Sequence, residues 1–412
     1  MSQKQKIELL APAGNFEKLE TAIHYGADAV YLSGQAHSLR RYAGNFTLDE
    51  MCDAIRLAQG AGVCVYVAVN AFARPHEMES IRTYLEQLRQ VGPDAIIIAD
   101  PGIIYLATQV VPEIPIHLST QANTTNQWSA RLWQTHGVKR INAARELTLS
   151  DIGTMSAAAD TVEIEAFVHG AMCISYSGRC LLSSYMAQRH SNRGQCAHPC
   201  RWKYAVLEEL RPGEYMPVAE DETGTYIFNS KDLCMLAHLP EMIAAGIASL
   251  KIEGRQKGLN YLAAVVKTYR AAIDAFYESP ADYQVRQQWV RELARVSPRP
   301  LGTGFYLNDP EAVLPSYEDS SEKPTIRFAG KVTGTPGNGR VEIAVRNKIE
   351  TGDTLDILMQ NGLEGTCTIA DMQTPDGVRI ETAQAGMRVK VQCEGLPPCH
   401  RNDIVRTLHA AY

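Results

Sequence analysis

The residues best placed to do chemistry are five cysteines, Cys173, Cys180, Cys196, Cys200 and Cys234, which fall within 62 of the 412 residues although the whole chain holds 10. Their spacing, Cys173-x₆-Cys180-x₁₅-Cys196-x₃-Cys200 with Cys234 beyond, offers four or five soft donors on a stretch that also carries Gly178 and Gly194. Iron–sulfur clusters take four thiolates from such flexible segments. Zinc is the chief rival, but it favours close C-x₂₋₄-C pairs, and only Cys196 and Cys200 form one. Unliganded buried or redox thiols are the third reading. Cys52, Cys64, Cys367, Cys393 and Cys399 read as ordinary thiols.

Charge reverses around the same residues. The chain carries a formal net charge of −6, which excludes gripping nucleic acid by bulk positive charge. Yet from Cys173 to Tyr204 it has Arg179, Arg189, Arg193, Arg201 and Lys203 and no Asp or Glu, with Tyr176, Tyr185, Trp202 and Tyr204 interleaved. That mixture can hold phosphates and stack bases; it can equally balance a negatively charged cluster.

These residues need a frame. Short apolar runs begin near residues 7, 28, 63, 94, 114, 138, 162 and 247, each followed by a helical pattern such as Met78, Ile81, Leu85, Leu88 and Val91. Eight strand–helix units predict a (β/α)₈ TIM-like barrel over residues 1–280, with a doubly wound sheet as the alternative. The gap before the eighth run predicts a cysteine-rich insertion after strand seven, at about 173–235. Residues 281–325 read as a linker, and turn signals among alternating segments predict a small all-β barrel over 326–412.

In such a barrel the active site gathers where the strands end. The polar residues expected there are Asn70, Asp100, Ser119, Gln121, Asn123, Arg145 and Arg255 for substrate binding, and Glu165, His169, Lys251 and Glu253 for acid–base work. His169 reads equally well as a structural histidine, and Arg145 and Arg255 as ion-pair partners of Glu146 and Glu253. Neither H-E-x-x-H nor G-x-S-x-G occurs. The start of the chain is too polar for a signal peptide and no apolar run reaches about 18 residues, so the expectation is a cytoplasmic protein with no membrane partner. A homo-oligomer is compatible with the sequence.

The run from Glu165 through Cys173 and Cys180 to Ser183 resembles the signature of the collagenase-like peptidases, number thirty-two of the unknown-mechanism class. The segments Leu10–Asn15, Gly26–Tyr31, Ala43–Phe46, Ser119–Asn123, Asn229–Leu233 and Lys251–Arg255 resemble it as well. One stretch departs from it: Ser33–Ser38 stands where a glycine-led loop with an aromatic residue is expected. Within the family the chain is similar to the bacterial proteins of prephenate-dependent tRNA uridine 5-hydroxylation. The resemblance implies oxygen-independent hydroxylation of the wobble uridine, prephenate as co-substrate, and a [4Fe–4S] cluster on Cys173, Cys180, Cys196 and Cys200, with Cys234 a possible fifth ligand. It also implies that Arg179, Arg193 and Arg201 face RNA or the cluster; charge alone makes Arg145, Arg255 or Lys251 the candidates to meet the carboxylates of prephenate. The rival readings are a peptidase, as the family name suggests, and a non-catalytic cluster or RNA-binding accessory of another hydroxylase.

Overall fold

Strands β1 (Glu8–Pro12), β2 (Ala29–Leu32), β3 (Cys64–Val69), β4 (Ala95–Ile98), β5 (Ile116–Leu118), β6 (Val138–Asn142), β7 (Glu163–Ala171) and β8 (Ile247–Ile252) pair in parallel, each with the next, and β8 also pairs with β1. The sheet is therefore closed. These relations come from a computed structural model that describes residues 6–38, 44–159, 161–173, 175–201, 219–221, 224–226, 231–297, 299–307, 326–337, 339–360 and 364–408.

The strands are nearly continuous apolar runs because both of their faces are covered. Inside the barrel Leu10, Ala29, Tyr31, Tyr66, Ala68, Ala95 and Ile97 form their own cluster, while Leu9, Val30, Val65, Val67, Ile96 and Ile98 join the cluster with the helices. The helices begin where the sequence can cap them. Asn15 accepts from the Lys18 backbone N–H at 2.9 Å, and Thr47 with Glu50 forms a capping box at Leu48–Gly60.

The insertion lies between β7 and β8, as expected. It returns through a short strand, Asp232–Cys234, that pairs antiparallel with the end of β7, Cys234 opposite His169. Leu301–Gly302 then adds to that strand. The expected linker over 281–325 is thus corrected for its first part: the helix Gln287–Val296 buries Trp289 and Leu293 in the barrel's core, and the Tyr306 hydroxyl donates to the Phe167 carbonyl at 2.8 Å. Pro298 and Pro300 interrupt the periodicity there, while only a few large side chains fix the segment to the barrel. Residues 308–325 lie outside the described ones.

Six antiparallel strands of the C-terminal domain, Ile326–Gly337, Arg340–Val345, Arg388–Glu394, Glu364–Gln373, Thr354–Leu358 and Ile404–Leu408, close into a second small barrel. It docks on the first through polar contacts. The Tyr25 hydroxyl donates to the Leu358 carbonyl at 2.5 Å and accepts from the Ile404 N–H at 2.9 Å. Fully buried Arg406 pairs with Glu292 of the barrel and with Asp356 at 2.8 Å. No helix among the described residues is long and apolar enough to cross a membrane.

Candidate active site at the barrel mouth

The floor of the site is a buried ion pair. Lys251, on β8, donates to Glu165 of the adjacent β7 at 2.7 Å, and the Asn142 amide donates to the same oxygen at 2.9 Å. The Lys251 ammonium also lies 4.7 Å from the centroid of the Tyr31 ring. Above them a chamber of about 60 Å³ is lined by Asn70, Ser119, Gln121, Arg145, Lys251, Glu253 and Arg255, seven of the residues expected at strand ends, together with Tyr31, Asn142 and Phe167. Arg145, Lys251 and Arg255 against Glu253 and the underlying Glu165 leave one excess positive charge, which suits an anion. Tyr31, Asn142 and Phe167 escaped the sequence reading. Asn142 could have been found by the same strand-end rule, but Tyr31 and Phe167 look like core residues until the barrel closes.

A larger cavity of about 320 Å³ adjoins the chamber. Cys173, Cys180, Cys196 and Cys200 all line it, and it shares Gln121, Arg145 and Glu253 with the chamber below. The insertion is seated here by close backbone approach. Gly178 has φ +73°, and a Cβ on it would come within 2.2 Å of the Gln121 carbonyl oxygen. Gly170, at φ +109°, likewise leaves no room against the Glu253 carbonyl.

The four thiols form no disulfide and are partly buried, and the His198 N–H donates to the Cys196 sulfur at 3.4 Å. Soft donors around one cavity, with N–H···S bonding and arginines nearby, are the right chemistry for an iron–sulfur cluster. As they stand, no three Cys, His, Asp or Glu side chains among the described residues are close enough to hold a metal ion. Cys234 is not at this cavity: it sits at the rim strand, where its sulfur accepts from the Tyr269 hydroxyl at 3.7 Å, and burial pushes its thiol up.

Several expected site residues are placed elsewhere. Strict alternation along β7 would aim His169 into the lumen with Glu165 and Phe167. A β-bulge between Phe167 and His169 turns it away. His169 is fully buried against Tyr261 and Tyr269, its Nδ1 3.3 Å from the Tyr269 hydroxyl, and burial together with Lys257 lowers its pKa to about 3. It lines neither cavity, so the structural reading of His169 replaces the acid–base one. Asp100 caps the helix Pro101–Val110, accepting from Gly102 at 2.8 Å. Asn123, in the left-handed region at φ 55°, donates to Glu146.

Arg193 is committed to Glu77 at 2.8 Å and to the Phe72 carbonyl at 3.2 Å, which ties the insertion to the loop after β3. Arg179 is exposed, and so are Tyr176, Leu181 and Tyr185, at 68, 71 and 89%. The side chain of Arg201, and Trp202, Lys203 and Tyr204, lie outside the described residues. Lys257 was missed by the sequence reading; it lines the cysteine cavity and pairs with Asp232 at 3.7 Å.

The chain is 37% identical to tRNA hydroxylation protein P1 of Bacillus subtilis over 386 residues, 93% of this chain and 91% of that one. It is 36% identical to tRNA hydroxylation protein P of Escherichia coli, covering 87% of each. It is also 38% identical, over 95% of this chain and 96% of the other, to a Methanocaldococcus jannaschii protein named as an uncharacterised protease. The model of peptidase family U32 matches residues 14–314, and that of the family's C-terminal domain matches residues 324–406. From the barrel with its cysteine-bearing insertion to the closing β-domain, the chain belongs to peptidase family U32.

Proposed function

We propose that this protein is an RNA-modifying hydroxylase that acts on tRNA, adding a hydroxyl group at C5 of the wobble uridine with prephenate as co-substrate. Cys173, Cys180, Cys196 and Cys200 would hold a [4Fe–4S] cluster, which when bound supplies electron-transfer chemistry beside the reacting base. The observation that carries the reading is that these four thiols line one cavity which shares Gln121, Arg145 and Glu253 with a cation-rich chamber in the barrel lumen. The names of the two tRNA hydroxylation relatives support the RNA substrate.

The chain's own residues divide the work by position. A base splayed from a single-stranded loop, the form in which proteins reach RNA bases, enters the cysteine cavity past Tyr176, Arg179 and Tyr185. A carboxylate of the co-substrate occupies the chamber beneath, over the Lys251–Glu165 pair, and the rest of it extends into the cavity above. Glu253 and Arg145 stand where the two would meet. A tRNA substrate places this reaction in the cytoplasm.

The test compares tRNA nucleosides by mass spectrometry from cells with and without the gene, in a strain lacking any other route to 5-hydroxyuridine. Loss of 5-hydroxyuridine derivatives is expected, and their unchanged level refutes the function. The family name and the Methanocaldococcus relative's name favour a peptidase instead. Gelatin cleavage that survives both Cys173→Ala and thorough repurification would establish that reading.

A further inference from the structure

The three cations of the lumenal chamber are not equivalent. Lys251 is ion-paired with Glu165. Arg255 is 2% exposed and donates to Ser38 at 3.2 Å, to the Gly44 carbonyl at 3.4 Å and to Asn45, so it secures the segment after β2. Among the described residues Arg145 has no comparable partner. Its guanidinium lies over the Phe167 ring, 4.4 Å from the centroid, and its Nε is buried without a hydrogen-bond acceptor among the described residues. Glu146, the neighbour that could have neutralised it, is instead held by Asn123 and by Ser177, whose N–H and hydroxyl donate at 3.2 and 3.0 Å.

A charged donor kept from water without an acceptor is costly, and its presence at a site argues for an acceptor that arrives with a ligand. Arg145 also lines both cavities. We propose that Arg145 anchors an anionic small molecule in the barrel lumen, with a carboxylate of a small organic acid taken in the fork of its guanidinium. The rest of the acid extends into the larger cavity that Arg145 also lines, and Ser119 and Asn70, both hydrogen-bonded to the Gln121 side-chain oxygen, line the chamber around the carboxylate. A planar bidentate donor suits a carboxylate. An RNA phosphate carries the same charge, but the chamber, at about 60 Å³ against about 320 Å³ for the cavity above it, has room for a carboxylate group and not for a backbone phosphate with its flanking sugars. The identity of the acid rests on the proposed function; the anchoring role of Arg145 does not.

The experiment measures calorimetric binding of prephenate, with inorganic phosphate and a tRNA anticodon stem-loop as further probes, to anaerobically purified wild type, Arg145→Gln and Arg145→Lys. Arg145→Gln is expected to weaken prephenate binding roughly 10- to 100-fold, the value of a hydrogen-bonded charge. Arg145→Lys should fall between, since it keeps the charge and loses the fork. RNA affinity and iron content should be unchanged. Equal prephenate affinity in wild type and variants overturns the proposal. So does a loss of RNA binding in place of acid binding, or a wild type that binds neither prephenate nor phosphate. If Arg145→Gln does not fold, Arg145→Lys decides alone, and unweakened binding by it overturns the anchor. Arg145-dependent acid binding without any change in tRNA nucleosides would leave the anchor standing and remove the hydroxylase reading.

Discussion

Removing both members of the ion pair on the barrel floor should cost the first domain little more than removing either one. Lys251 and Glu165 are 2.7 Å apart with side chains 7% and 3% exposed. At an effective dielectric of about 20 their attraction is about 6 kcal/mol, against desolvation costs of several kcal/mol per ion. Removing one partner leaves a buried charge, typically a loss of about 3–5 kcal/mol. In Lys251→Met the carboxylate keeps Asn142 at 2.9 Å and Arg140 at 3.8 Å, which places the loss near the lower end, about 3 kcal/mol. Glu165→Gln should cost a similar amount by stranding the ammonium. The double variant should lose much less than the sum, with a coupling of about 2–3 kcal/mol.

Urea unfolding followed by tryptophan fluorescence reads this directly, because Trp128, Trp133, Trp202 and Trp289 all precede the C-terminal domain. Added salt should change little, since the pair is buried. Single-variant losses below about 1 kcal/mol, or losses that add within about 0.5 kcal/mol, refute the reasoning.

His169 makes stability fall in acid. Its folded pKa of about 3 lies below an unfolded value of about 6.5, so below pH 6.5 the unfolded chain binds the extra proton. Stability is then lost at about 1.4 kcal/mol per pH unit down to pH 3 and is fully present above 6.5. His169→Phe should remove that part of the slope, and denaturation between pH 6 and 4 that shows the same slope in both proteins rejects it. Gly178→Ala meets the Gln121 carbonyl and needs a positive φ, a strain of at least about 1–2 kcal/mol. It should unseat the insertion, seen as lower iron content and faster proteolysis near residue 180. Wild type purified without oxygen should be brown with about four irons per chain. Cys173→Ala, Cys180→Ala, Cys196→Ala or Cys200→Ala should lose the iron, whereas Cys234→Ala should keep it; zinc in colourless protein would contradict the cluster. Tyr185→Ala with Arg179→Glu should weaken RNA binding by about 1–3 kcal/mol for each base stack lost and flatten the salt dependence by about 0.7 per phosphate contact. Filter binding at several salt concentrations measures both.

Much of the fold was legible because it depends on local pattern. The apolar runs marked all eight barrel strands, and the long interval before Ile247 located the insertion. What misled the reading was also local. Pro298 and Pro300 suggested a linker although Trp289, Leu293 and Tyr306 pin part of that segment to the barrel. The strand-end rule put His169 at the barrel mouth, and one extra residue in the ladder turned it away. A bulge leaves no trace in a binary pattern, because it is set by how β7 meets β8.

The sequence by itself determined the donors: four thiols, a basic aromatic stretch, and polar residues where strands should stop. Those follow from residue type and spacing. Only the tertiary structure decided which of them share a cavity and which are already occupied. It put the four cysteines over the lumen and left Cys234 at the rim. It gave Glu77 to Arg193 and Glu165 to Lys251, and left Arg145 over Phe167 with its Nε unmatched. Partnership is a matter of a few ångströms between distant parts of the chain, and those distances exist only once the barrel closes.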